Sequence, residues 1–81
     1  MEPSLNKIDD AVLGLLYLTS FREGKGDLAI ARAWKGHDFD ALNRLYQKGF
    51  IFDPRNKNKS VVFTKEGEKK AEESFEKLFC D

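Results

Sequence analysis

Between Phe39 and Thr64 the chain runs from a short amphipathic helix into Gly49-Phe50-Ile51-Phe52, through a polar turn, and on to Ser60-Val61-Val62-Phe63-Thr64. This order of helix, strand, basic turn and strand constrains the fold more than any other stretch. Two short apolar strands joined by Arg55-Asn56-Lys57-Asn58-Lys59, which is too polar to bury, read as a hairpin with its turn in water. Upstream, Asp38 is placed to cap a helix in which Phe39, Leu42, Leu45 and Tyr46 share one face, and Gly49 stops it. Downstream, Thr64 followed by Lys65-Glu66 caps a last helix, along which Gly67, Ala71, Ser74, Phe75 and Leu78 form one stripe. Its small residues allow close approach to the first helix.

The N-terminal half supplies that first helix. Asn6 reads as its N-cap, with Asp9 and Asp10 in the first turn where negative charge meets the helix dipole, so the helix is predicted over 6–20. Ile8, Ala11, Val12, Leu15 and Leu18 or Thr19 recur at helical spacing and are expected to face the core. Leu13, Leu16 and Tyr17 then fall on the other side, where the surface helix of a monomer is polar. With Phe75 and Phe79 from the last helix they form an apolar patch, and a two-fold homodimer through the terminal helices is the expectation. The glycines and charges of Arg22-Glu23-Gly24-Lys25-Gly26-Asp27 read as a loop, after which Asp27 caps a short helix through Trp34 that Gly36 ends.

With these elements placed, the chain resembles the winged helix-turn-helix superfamily from about Leu28 to Phe79. The resemblance runs through Leu42, Leu45, Gly49-Phe50-Ile51, the basic turn, Val61-Val62-Phe63-Thr64 and Glu66-Gly67. It also resembles a small bacterial family of unknown function, through Ile8-Asp9-Asp10-Ala11-Val12, Ala31-Arg32-Ala33-Trp34-Lys35-Gly36, Asp40-Ala41-Leu42 and Gly49-Phe50-Ile51. The first resemblance implies one mainly α domain over 1–81 with a small β-hairpin. Its parts are a first helix, a helix-turn-helix over 27–49, a two-stranded wing over 50–64 and a C-terminal helix over 65–80. It further implies that residues near Asp38 to Lys48 form the recognition-type helix and that Arg55 to Lys59 form the wing.

Charge sharpens the functional alternatives. The chain carries fourteen basic and fourteen acidic side chains, which argues against binding nucleic acid or anionic lipid through bulk charge. The distribution is uneven, because residues 32–65 hold eight basic against three acidic groups. The leading expectation is a DNA-binding or transcription-associated regulator, in which Arg44, Gln47 and Lys48 are the donors to double-stranded DNA on the recognition helix and Arg55, Lys57 and Lys59 are the phosphate partners in the wing. Asp38 and Asp40 oppose this, since they place carboxylates at the helix end that normally approaches phosphates, and Asp40 stands four residues before Arg44, within reach of an intrahelical ion pair. The alternative is a protein-protein interaction module on the same scaffold. Trp34, flanked by Arg32 and Lys35, is expected to pack between the second and third helices, with base stacking as the other reading.

Catalysis is not expected. His37 is the only histidine and sits in a turn, while Asp9-Asp10 and Glu72-Glu73 are adjacent pairs that point to different helix faces. One histidine and one distant cysteine, Cys80, do not complete a metal site, and no glycine-rich phosphate loop follows a strand, so no metal or cofactor is expected. The apolar run Ala11 to Leu18 is far shorter than the roughly 20 residues that cross a bilayer. The start lacks a basic region followed by an apolar one, and a lone terminal cysteine fits a reducing compartment, so the cytoplasm and no membrane contact are expected.

Overall fold

The computed structural model describes residues 1–26 and 29–81. In chain order its elements are α1 (Leu5–Leu18), β1 (Phe21–Glu23), β2 (Ile30–Trp34), α2 (Phe39–Gln47), β3 (Ser60–Val62) and α3 (Lys65–Phe79). Three helices pack beside a three-stranded antiparallel sheet of order β1-β2-β3. The architecture is therefore a small mixed α/β domain, with one helix fewer and one strand more than the sequence pattern predicts.

The difference lies in Ile30-Ala31-Arg32-Ala33-Trp34. This stretch is expected to be helical, but it forms the central strand, pairing Phe21 with Arg32 on one side and Arg32 with Val62 on the other. The physical reason is a period of two: Ala31 and Ala33 are buried, while Ile30 and Trp34 are exposed. Central position in the sheet overrides alanine's helix propensity. Asp27 and Leu28, the expected cap and first residue of that helix, lie outside the described residues. The described part of 27–49 thus contains a strand and one helix, and no helix-turn-helix pair.

The wing is also reduced. Phe50–Phe52 does not form a full strand; Ile51 bridges Phe63, the Phe52 amide donates to the Val62 carbonyl at 2.9 Å, and the Thr64 amide donates to Phe50 at 3.1 Å. The polar segment after it folds back and is pinned. Asp53 accepts from the Arg55 amide, and Lys35 Nζ donates to the carbonyls of Pro54 and Asn56 at 2.8 and 3.1 Å.

Ser4, rather than Asn6, caps α1, its side chain accepting from the Lys7 amide. The buried face of α1 is Asp9, Val12, Leu13 and Leu16, at spacings of three and four, while Leu15 and Leu18 are exposed. The helix is turned by about one residue, or 100°, from the expected stripe. That rotation puts a carboxylate into the interior.

Helix α2 is capped by Asp38, whose Oδ2 accepts from the Ala41 amide at 3.2 Å, and it buries Ala41, Leu42 and Leu45. Phe39 and Tyr46, expected beside them, are exposed. Its end is a paired closure in which the Gly49 amide donates to Tyr46 and the Phe50 amide to Leu45, at 3.0 Å each. Gly49 takes φ of 80°, which is why glycine stands there. Thr64 caps α3 by accepting from the Gly67 amide at 2.9 Å and donates its own hydroxyl to the Gly49 carbonyl at 2.7 Å.

Two glycines mark close contacts of α3. Gly67 lies directly on the Phe50 backbone, so a side chain there would collide with the Phe50 carbonyl. The close approach to α1 is made at Gly14 of α1, where a Cβ would meet the Phe79 ring and crowd the Phe75 backbone. The three helices and the inner sheet face enclose the core of Leu13, Leu16, Leu42, Leu45, Ile51 and Val61.

Candidate interaction surface

The six residues assigned to DNA contact separate into two groups. Arg44 and Lys48 turn inward to Asp9, which is 1% exposed. Arg44 Nε donates to both Asp9 carboxylate oxygens at 2.9 Å, its Nη2 lies 2.8 Å from Oδ1, and Lys48 Nζ donates to Oδ2 at 3.0 Å. Burial alone would raise the Asp9 carboxyl, but the hydrogen bonds and charges of Arg44 and Lys48 outweigh it and hold the group below its ordinary value. Asp9 is thus an anchor between α1 and α2, and Asp40 is not the partner of Arg44. Arg55 is paired with Asp53 at 3.0 Å and lies over the Tyr46 ring at 5.9 Å. Its hydrogen bonds keep the Asp53 carboxyl below its usual range. Gln47, Lys57 and Lys59 remain exposed.

The expected dimer patch also divides. Leu13 and Leu16 are fully buried core residues, so they present nothing to a partner. The stripe Ile8, Ala11, Val12, Leu15 and Leu18 is the more apolar face on paper because Asp9 stands on the competing one, and its burial beside Arg44 and Lys48 decides the phase. Tyr17, Phe75 and Phe79 form a chain of tilted rings, with centroids 5.4 and 5.8 Å apart, that seals α1 against α3. Phe79 is exposed, while Tyr17 and Phe75 are half-buried.

A different surface gathers exposed apolar side chains. Since Ala31, Ala33 and Val61 point into the core, their neighbours on β1, β2 and β3 point to the opposite, helix-free face. One cross-strand row there is Phe21, Arg32 and Val62, continued by Phe52 beyond Val62. Ile30 and Glu23 form the next row, and Trp34 and Ser60 the one on the other side. Trp34 and Phe52 are 56% and 58% exposed, and Phe21 and Ile30 are nearly half exposed. Trp34 therefore does not pack between helices; its indole lies over Gly36 at the strand end, where a Cβ would meet it.

Arg32 crosses the middle of this face. Its Nη1 donates to Ser60 Oγ at 3.2 Å, and its Nε, shielded from solvent and without a hydrogen-bond partner, sits 3.5 Å from the Glu23 carboxylate. The sequence does carry a signal for this face. In β2 the residues alternate by size in the inverse of the usual sense, with alanines inside and Ile30, Arg32 and Trp34 outside.

No helix among the described residues is long and apolar enough to cross a membrane. The family described as a domain of unknown function, DUF6429, matches residues 4–81. The uncharacterized protein y4hR of Sinorhizobium fredii is 48% identical over 79 residues, covering 98% of this chain and 97% of that protein. No solved structure matches the chain.

Proposed function

Because the chain belongs to the DUF6429 family, whose description assigns no activity, we propose a function from geometry: a cytoplasmic, non-catalytic protein-interaction module that docks through the open face of its sheet. The observation that carries this reading is the clustering of Phe21, Ile30, Trp34 and Phe52 on one helix-free face. Half-exposed aromatic side chains of ~200 Å² each leave several hundred Å² of apolar surface in water, the size at which a patch marks an interaction site. Duplex DNA fits less well. Of the cations assigned to it, Arg44, Lys48 and Arg55 are engaged in ion pairs, leaving Gln47, Lys57 and Lys59 to carry the contact. The winged-helix resemblance adds no helix-turn-helix to present them.

Site-specific photo-crosslinking in bacterial cells tests the proposal. A photoreactive phenylalanine analogue placed at Trp34 or Phe52 is expected to give protein adducts, and the same group at Gln47 or Lys57 is expected to give none. Absence of protein adducts at the sheet positions refutes docking there. Nucleic-acid adducts at Gln47 and Lys57 restore the DNA reading.

A further inference from the structure

We propose that the occupant of the open sheet face is a second copy of this chain, so that two sheets pack face to face about a two-fold axis. The inference rests on the docking reading and supplies its partner. Its first support is charge. Among the described residues Arg32 and Glu23 lie 3.5 Å apart on the face, a pair of opposite charges that is complementary to itself across a two-fold axis, and Lys59 adds a cation at the rim beside Trp34. A two-fold axis that sets Arg32 of one copy against Glu23 of the other meets no net repulsion, and the chain as a whole has formal net charge zero. Unpaired nucleic-acid strands require an excess of free cations among the stacking rings, and on this face Arg32 is already paired with Glu23, leaving Lys59 alone at the rim.

Area gives the second support. The four half-exposed apolar residues present about 400 Å², half of the ~800 Å² that each partner contributes to a standard interface. Val62 and the polar residues around them complete a composition close to that of ordinary interfaces. The core gives the third. Among the described residues its buried apolar members number twelve, and four of these are alanines. A chain of 81 residues with so thin an interior, and a lone cysteine instead of disulfides, is of the size class that gains stability by association. Stacking two sheets about 10 Å apart turns each bare face into the centre of a four-layer particle, helices outside and strands within.

Light scattering and sedimentation equilibrium on the full chain test this. The wild type is expected to be a dimer at high micromolar concentration, with Trp34 emission blue-shifted and protected from acrylamide relative to the diluted monomer. Phe52→Asp and Trp34→Asp, at positions too exposed to disturb the monomer's fold, should weaken the dimer by roughly tenfold or more while leaving the circular dichroism unchanged. Arg32→Glu or Glu23→Arg alone should also weaken it, and the double exchange should restore it. Leu78→Asp, on the helical layer, should have no effect.

A monomeric wild type overturns the inference. If that monomer still crosslinks to another protein at Phe52, docking stands and only the second copy is wrong; if it does not, both fall. A monomer whose Trp34 emission is quenched by oligothymidylate likewise overturns it and assigns the face to unpaired bases. A dimer broken by Leu78→Asp but not by Phe52→Asp overturns it in favour of the helical layer.

Discussion

Replacing Asp9 by asparagine keeps the side chain's shape and removes its charge, and it probes the tie between α1 and α2. The carboxylate is 1% exposed and takes hydrogen bonds from Arg44 and Lys48 at 2.9 to 3.0 Å. Removing one member of a buried ion pair costs about 3 to 5 kcal/mol, because the remaining charges lose their partner. Here the low end applies, since the Arg44 and Lys48 side chains keep 25% and 37% of their surface in water and can rehydrate. In Asp9→Asn, moreover, the new amide N–H faces a cation. The expected cost is about 3 kcal/mol, which for a domain of this size lowers the melting temperature by about 12 to 24 °C. Asp9→Leu leaves the same two cations unpaired and should cost at least as much, whereas the triple exchange Asp9→Leu, Arg44→Met, Lys48→Met removes every charge of the cluster and should cost only about 1 kcal/mol. The pH dependence follows from the depressed carboxyl. The Asp9 contribution is fully present above the unfolded-state value of about 3.9 and is lost as pH falls through the lower folded-state value. On acidification the gap between the wild type and Asp9→Asn should therefore begin to narrow only near about pH 4 and close below the depressed folded-state value. An Asp9→Asn melt within a few degrees of the wild type, or a triple exchange less stable than Asp9→Asn, refutes the anchoring role of Asp9.

Three more substitutions test how the elements are seated. Thr64→Ala removes both the cap on the Gly67 amide and the bond to the Gly49 carbonyl, and should cost about 1 to 2 kcal/mol in urea unfolding with the slope unchanged. Gly67→Ala forces a methyl into the Phe50 backbone and should cost about 3 kcal/mol or more, read as a large fall in melting temperature. Gly36→Ala meets only the movable Trp34 indole, so its melt should stay within about 1 kcal/mol of the wild type; a loss as large as that of Gly67→Ala would mean the indole is fixed.

The legible parts of the fold were those governed by local chemistry. Asp38 and Thr64 cap helices because a short oxygen-bearing side chain precedes each apolar stripe, and Gly49 ends α2 because the closure needs a positive φ. What failed depended on partners distant in sequence. Asp9 looks like a surface carboxylate until Arg44, 35 positions away, is placed beside it, and the resulting turn of α1 exchanges Leu15 and Leu18 for Leu13 and Leu16 in the core. Likewise, Ile30 to Trp34 contains two alanines and an arginine that favour a helix, and only pairing to β1 and β3 makes it a strand. The exposed apolar face of the sheet is hidden from the sequence for the same reason. Once β2 is seen as a strand, the positions of Ile30, Arg32 and Trp34 on one face follow from alternation alone.

That alternation divides labour within a single strand. Ala31 and Ala33 sit under the helices, where a larger side chain would have to push helix from sheet, whereas Ile30 and Trp34 stand about half exposed on the other face, with Arg32 between them bonded to Ser60. Substitution at the alanines is paid in folding, and substitution at Ile30 or Trp34 is felt mainly at the open surface. Mutational drift can therefore rewrite those two residues, and with them the character of the open face, without revisiting the solution that keeps the chain folded.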